Sequence, residues 1–210
     1  MIIIMCGGSY KDFKKHKALS KIRGEVLIER TIRLLEKNGI DNWYISTNDP
    51  SFDKYGNILH HENSFEAENG VVKGYWVDAY YPTDEPCIYL HGDCYYTEEA
   101  IKKILNLKPK VNTLIGNRVA MNEAHEDMGE PFGWIITDQK SFKYAIRQVK
   151  ILQDLGRLNR GYAISWELYR VLNGTDPNRM LILDNYLCID DETIDVDSPE
   201  QIEMINKGLR

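Results

Sequence analysis

A chain of 210 residues with 43% hydrophobic content is long enough to bury roughly 70% of the surface its unfolded form exposes, which predicts one domain over 1–210 built on a single core. Its net charge of -6 excludes a general nucleic-acid binder, because no stretch gathers enough Lys and Arg to neutralise a phosphate backbone. The apolar opening, Met1 to Met5, breaks at Cys6-Gly7-Gly8, too short for a signal-peptide core or a membrane span, so the expectation is a cytoplasmic protein with no membrane partner.

Ile2 to Cys6, Trp43 to Thr47 and Cys87 to His91 are rich in β-branched and aromatic residues and apolar on both faces, which predicts buried parallel strands. Between the first two, Ile28, Ile32 and Leu35 recur at helical spacing and Asn38-Gly39 supplies a stop. Thr97 predicts an N-cap, with Glu98 and Glu99 in the first turn where the helix dipole favours them. Ile101, Ile104 and Leu105 then form the buried stripe of a helix that ends before Pro109. Later strands are expected at Thr113 to Gly116, Trp134 to Thr137, Arg179 to Leu183 and Tyr186 to Ile189. Two helices fill the gap, near Gln139 to Leu155 and near Gly161 to Leu172, separated by Gly156-Arg157-Leu158-Asn159. In the second, Tyr162, Trp166 and Tyr169 read as core or as a subunit contact, with a ligand-stacking lid as the alternative. A last helix starts at Ser198 as N-cap with Pro199 at the first helical position. The alternation of strand and helix predicts an α/β fold of Rossmann-like, three-layer α/β/α type with a mostly parallel central sheet. Cys6, Cys87, Cys94 and Cys188 show no ligand spacing and lie in or beside these strands, so they read as buried thiols.

Chemistry-bearing residues concentrate at strand ends. Gly7-Gly8, directly after the first strand, lets the backbone turn tightly and bring its N–H groups against an anion, and such a loop is where α/β sheets place ligands. It is neither GxxxxGK[ST] nor GxGxxG. The lysines that follow, Lys11, Lys14, Lys15, Lys17 and Lys21, reverse the sign of an acidic chain locally and are long enough to reach triphosphate oxygens as point charges. Taken alone, a Gly-Gly pair also fits a plain turn and a lysine run also fits a solvated face. Asp93 follows a buried strand in Tyr89-Leu90-His91-Gly92-Asp93, a position that faces the ligand crevice and suits a magnesium ligand better than a turn cap. In Ile194-Asp195-Val196-Asp197-Ser198, an extended backbone turns Asp195 and Asp197 to one face. Two like charges so close, with no Lys or Arg beside them in sequence, suit a cation. The competing reading has Asp197 capping the last helix, a role Ser198 already fills. Asp190 and Asp191 read as structural turn residues.

Together these motifs resemble the nucleotidyltransferases with a nucleotide-diphospho-sugar transferase fold, which include sugar-phosphate nucleotidyltransferases and cytidylyltransferases. Three blocks carry the resemblance: the segment from Gly7-Gly8 to Lys17-Ala18-Leu19 followed by Gly24-Glu25-Val26-Leu27-Ile28-Glu29-Arg30-Thr31-Ile32, the segment His91-Gly92-Asp93, and Asp195-Val196-Asp197-Ser198-Pro199-Glu200. The resemblance implies Mg²⁺ held by Asp93 and Asp197, with Asp195 beside them, and catalytic roles for Lys17, Lys11 and Asp93. It implies nucleotide contacts from Cys6, Gly7, Gly8, Ser9, Lys11, Lys17 and Asp93. In mid-chain it adds Asn63, Gly70 and Lys73, where Asn69 to Lys73 reads as the start of a helix. Asn122, Glu123, Glu130 and Arg157 are expected at the acceptor. Departures from the family pattern are Cys6 before the glycines, His16 before the lysine and Gln201 in the closing motif. The implied reaction joins a nucleoside triphosphate, CTP by analogy with compact cytidylyltransferases, to a small phosphorylated acceptor such as a sugar, polyol or aminoalcohol phosphate, for a surface polysaccharide precursor. A second copy of the chain is a candidate partner. Two other readings compete: a glycosyltransferase of the same fold, which would place DxD where Gly92-Asp93-Cys94-Tyr95 stands, and a non-catalytic nucleotide-binding domain, which has no need to keep Lys17, Asp93 and Asp197 together.

Overall fold

The structure, a computed structural model, describes residues 1–7, 13, 15–68, 70–117, 129–179 and 181–208. In chain order the elements are β1 (Ile2–Met5), β2 (Lys21–Ile22), β3 (Glu25–Val26), α1 (Leu27–Lys37), β4 (Trp43–Thr47), β5 (Ile58–His60), β6 (Glu66–Glu68), β7 (Val71–Lys73), β8 (Cys87–His91), β9 (Cys94–Tyr95), α2 (Glu98–Asn106), β10 (Thr113–Asn117), β11 (Pro131–Ile136), α3 (Gln139–Asp154), α4 (Ser165–Leu172), β12 (Tyr186–Ile189), β13 (Ile194–Asp195) and α5 (Pro199–Asn206). Seven strands form one sheet in the order β12-β10-β11-β8-β1-β4-β5. Only β11 runs against its neighbours β8 and β10; the β1–β4, β1–β8, β4–β5 and β10–β12 ladders are parallel.

The double-sided apolarity of the central strands follows from a helical layer on each face. Ile2 and Ile4 pack with Ile28, Leu34 and Leu35 of α1 and Ala100, Ile101 and Ile104 of α2. Ile3 and Met5 point the other way, toward Trp134 and toward Phe142, Ala145 and Val149 of α3 and Trp166, Leu168 and Tyr169 of α4. Period-two alternation thus feeds both layers from one strand, and each fully buried large aliphatic side chain contributes about 1.5–3 kcal/mol. Thr97 caps α2 by accepting from Ala100 N at 2.9 Å, and Gly39, at φ 75°, closes α1 in the left-handed region that glycine enters without strain.

Several expectations change. Arg179 to Leu183 is not a strand: the Tyr169 hydroxyl accepts from Leu183 N at 2.8 Å and donates to Leu183 O at 3.1 Å, so a side chain takes the bonds a ladder would have made; Met180 lies outside the described residues. The helix expected from Gly161 begins only at Ser165, because Gly161 stands at φ 84° and Glu167 Oε2 accepts from Ile164 N at 3.0 Å to fix the start there. Residues 70 to 73 are no helix; Asn69 lies outside the described residues. Val71–Lys73 is instead strand β7, paired with β6 in the register Glu66↔Lys73 and Glu68↔Val71, and Gly70 precedes it at φ 79°. Cys6, Cys87 and Cys94 are buried as expected, whereas Cys188 is half-buried. Among the described residues no helix is long and apolar enough to cross a membrane.

Candidate active site

The chain leaves β1 toward β4 and β5 on one side and returns to β8 on the other. The carboxyl ends of β1 and β8 therefore flank the point where strand order reverses, the position at which open α/β sheets bind ligands. Gly7 follows β1 and Asp93 follows β8. Met5 and His91 are paired across this ladder, and Gly92 N donates to Met5 O at 2.9 Å. Gly92 is required there: a Cβ would overlap both Cys6 Sγ and the Met5 carbonyl.

Asp195 and Asp197 arrive from the far end of the sequence. The short β9–β13 ladder pairs Asp195 with Cys94, and Val196 N donates to Asp93 O at 3.2 Å. Val196, fully buried beside Ile22, Leu27 and Tyr95, anchors the segment, and both neighbouring aspartates turn into the cavity that Asp93 lines. Lys17 joins them from a single 3-10 turn, Lys17–Leu19, capped by His16 Nδ1 accepting from Ala18 N at 3.2 Å. Its ammonium, buried with the rest of the side chain, lies 3.7 Å from Asp93 Oδ2 and 3.2 Å from Asp197 Oδ1. One cation thus bridges the two carboxylates, which places them within reach of a shared ion. Gln201, a departure from the family motif, accepts from Asp197 N at 2.7 Å while Ser198 Oγ caps α5 at Gln201 N. Capping is done by the neighbours, and the Asp197 carboxylate faces Lys17 instead.

Electrostatics at this cluster favour an added cation. Burial, then repulsion from Asp93 and Asp197, raises the Asp195 carboxyl well above the usual carboxylate range, with Lys17 offsetting part of the effect. Burial, with Asp197 adding to it, also raises Glu130. Asp93, Asp195 and Asp197 line one cavity with hard oxygen donors, and the raised proton affinity of buried Asp195 beside the other two suits a divalent ion of the magnesium kind. His91, Asp93 and Cys94 also place donor atoms within 4.8 Å of one another. That softer set fits less well, because burial pushes the Cys94 thiol well up and its Sγ donates to Asp195 Oδ1 at 3.8 Å.

A cavity of about 660 Å³ is lined by Gly7, Lys17, Asp93, Asp195 and Asp197 together with His91, Phe65, Trp76 and Tyr162. A smaller one of about 300 Å³ opens beside it, between Cys6, Gly7, Thr47, Asn48, Glu62 and Asn63. Of the residues singled out from sequence, Cys6, Gly7, Lys17, Asn63, Asp93, Asp195 and Asp197 line one or both. Gly8, Ser9, Lys11, Asn122 and Glu123 lie outside the described residues. Glu130 lines a third cavity with Tyr95 and Asn117. Neither Gly70 nor Lys73 is among the lining residues, but Lys73 pairs at 3.4 Å with Glu66, which lines both cavities. Arg157 is exposed, its carbonyl accepting from Asn178 Nδ2 at 2.8 Å. Phe65 and Trp76 carry no motif and are not anticipated, while His91 stands in the His91-Gly92-Asp93 motif without a role of its own assigned. Tyr162 was assigned to a helical stripe it does not belong to.

The sequence matches the MobA-like NTP transferase domain family over residues 2–164, more than half of the chain, and the protein belongs to that family. It is a nucleotidyltransferase. No curated relative matches its sequence. Among solved structures, the inositol-1-phosphate CTP transferase from T. maritima is similar at 16% identity and a TM-score of 0.54, covering 100% of this chain and 97% of that one. A Bacillus anthracis protein assigned as a glucose-1-phosphate thymidylyltransferase is similar at 13% identity and a TM-score of 0.56, covering 100% and 94%. At such identities the likeness establishes the nucleotide-diphospho-sugar transferase fold.

Proposed function

We propose that this enzyme joins a nucleoside triphosphate, CTP by preference, to a small phosphorylated acceptor, a sugar, polyol or aminoalcohol phosphate, and releases pyrophosphate. The carrying observation is the Lys17 ammonium set between Asp93 and Asp197 at the switch point of the sheet. An ionised phosphate oxygen of the acceptor attacks the α-phosphorus of the triphosphate, and the bond from that phosphorus to the bridging oxygen breaks. The electron pair leaves with pyrophosphate, so no proton has to move. Bound to Asp93, Asp195 and Asp197, Mg²⁺ would neutralise charge on the triphosphate oxygens. Lys17 orients the polyphosphate and offsets charge as the leaving group departs, and positioning supplies much of the remaining acceleration. Gly7 lets the main chain approach the phosphates closely. The T. maritima neighbour's use of CTP with inositol 1-phosphate supports the choice of base and of acceptor type. We place the activity in the cytoplasm, within one domain over residues 1–210, in the supply of a surface polysaccharide precursor.

The test is incubation with Mg²⁺, each of the four triphosphates and a panel of phosphorylated sugars, alditols and aminoalcohols, with pyrophosphatase-coupled phosphate detection. Acceptor-dependent pyrophosphate, greatest with CTP, is expected. Consumption of a nucleotide sugar with no pyrophosphate from any acceptor would sink the proposal.

A further inference from the structure

Lys17 stands where a bridging ion would stand. Its ammonium reaches Asp93 Oδ2 at 3.7 Å and Asp197 Oδ1 at 3.2 Å, so the space between these carboxylates already holds a cation. A magnesium ion bound by the same pair would lie about 2.1 Å from each oxygen it takes, which brings it against the ammonium. A dication and a monocation at such a separation repel each other even where the surroundings screen them well. The two are therefore alternative occupants of one position.

Which partner yields is set by how each is held. The acids are pinned through their main chain: Val196 N donates to Asp93 O at 3.2 Å, and Asp197 N donates to Gln201 Oε1 at 2.7 Å. Lys17 is also pinned at its backbone, where Ser20 N donates to Lys17 O at 2.9 Å and His16 Nδ1 caps the turn. Beyond that anchor its flexible four-carbon stem can carry the ammonium elsewhere without moving the fold. Gly7 lines the same cavity as Lys17, so an ammonium released by the acids remains beside the space proposed for the polyphosphate. A triphosphate supplies the negative charge that a displaced ammonium lacks. A triphosphate arriving without the ion instead finds Lys17 engaged by two carboxylates, with Asp195 lining the same cavity.

We infer that Lys17 is a built-in competitor for the metal position: its ammonium holds Asp93 and Asp197 until a divalent ion takes them over, and only then turns to the polyphosphate. The triphosphate is thereby admitted as its magnesium complex and disfavoured without the ion. This rests on the metal-dependent nucleotidyl transfer proposed above and adds the order in which the side chains change partners.

The experiment follows Lys17 in the wild-type protein by acetylation with N-hydroxysuccinimide acetate and peptide mass spectrometry, with exposed Lys21 as the internal standard. Manganese EPR sets the Mn²⁺ concentration that fills the nucleotide-free site. Labelling of Lys17 is expected to rise about tenfold at that concentration, since a buried side chain reacts only while it is open. It falls back when CTP joins the ion, and CTP in EDTA leaves it at its starting level. In parallel, Lys17→Met is expected to bind Mn²⁺ at least about tenfold more tightly than wild type, because a position open about one-tenth of the time binds correspondingly more weakly. Mn²⁺ bound by wild type with Lys17 labelling unchanged overturns the inference and leaves nucleotidyl transfer standing, even if Lys17→Met binds the ion more tightly, because the charge then acts from a distance. No Mn²⁺ binding by wild type overturns it as well, since the exchange requires the ion to win. The expected labelling pattern without pyrophosphate from any acceptor upholds the exchange and removes the transfer reading. Should Lys17→Met fail to fold by circular dichroism, the wild-type labelling decides alone.

Discussion

Lys17 is buried between two acids, and that single arrangement fixes how substitutions in the cluster behave. Asp93→Asn keeps the shape of the side chain and removes its charge, so the protein remains folded while kcat/KM falls on the order of 10³, the scale of losing a preorganised charge at a reacting phosphate. Lys17→Met should cost about 10²–10³ in kcat/KM at unchanged circular dichroism. Steady-state kinetics with the acceptor that works in wild type check both, and activity within a few-fold of wild type in either variant removes that residue from the machinery. Asp195 behaves in the opposite sense for stability. Its carboxyl is raised by burial and by Asp93 and Asp197, so the folded state holds its proton more tightly than the unfolded chain does. Stability from this group is complete at pH below the unfolded carboxylate value and is lost as pH rises through the raised folded value. Asp195→Asn is therefore expected to raise the metal-free Tm at neutral pH by about 3 °C, on the order of 1 kcal/mol for a chain of this size. The advantage disappears in acid and shrinks when Mg²⁺ is added to the wild type, while the variant loses activity. Thermal melts across pH, with and without Mg²⁺, decide it; a variant less stable than wild type at every pH contradicts the reading of Asp195 as a repelled carboxylate.

At the scale of elements, the site is assembled by very short pieces held in fixed register. The β9–β13 ladder and the Val196 anchor join the closing segment to Asp93, and Gly92 lets β8 lie against the end of β1. Gly92→Ala forces its Cβ onto Cys6 Sγ and the Met5 carbonyl, a strain of about 1–3 kcal/mol that also shifts Asp93. The double variant Cys6→Ala/Gly92→Ala relieves the sulfur contact but not the carbonyl one, so urea denaturation should show partial rescue only; full rescue would place the clash on sulfur alone. These small pieces mark the limit of what the sequence discloses. Asp93, Asp195, Asp197 and Lys17 were legible because each sits beside a strong local signal, a strand end, a Ser-Pro helix start or a glycine turn. The pairing that unites them was not, since two-residue strands have no periodicity to detect. The β6–β7 hairpin was legible and misread: Asn69-Gly70 between short apolar-containing runs is a hairpin turn signal, and Val71 and Val72 favour a strand. At Gly161 the glycine was read as a helix start although its natural place is a left-handed residue outside one.

Across the whole molecule, two helical layers hold a sheet whose order reverses once, and everything chemical gathers above that reversal. The class of fold was legible because strands buried on both faces allow few architectures. The aromatic lining of the cavity was not, because Phe65, Trp76 and Tyr162 come from three separate connections that only the folded sheet brings to one cavity. The aspartate cluster lines the same cavity as Gly7 and Lys17, so on the proposed reading the triphosphate should bind as its magnesium complex and stabilise the entire fold by mass action. At a concentration one hundred times Kd this amounts to about 2.7 kcal/mol, or a rise in Tm of about 5–10 °C at this chain length. Melts with each of the four triphosphates, in Mg²⁺ and in EDTA, should rank CTP first and show the increment shrinking in EDTA. Asp93→Asn should lose the magnesium-dependent part, because the lost charge belongs to the ion's site and not to the base. If all four triphosphates shift Tm equally, the base is not read and the preference for CTP falls; if none does so in Mg²⁺, the polyphosphate does not occupy the space between Gly7, Lys17 and Asp93.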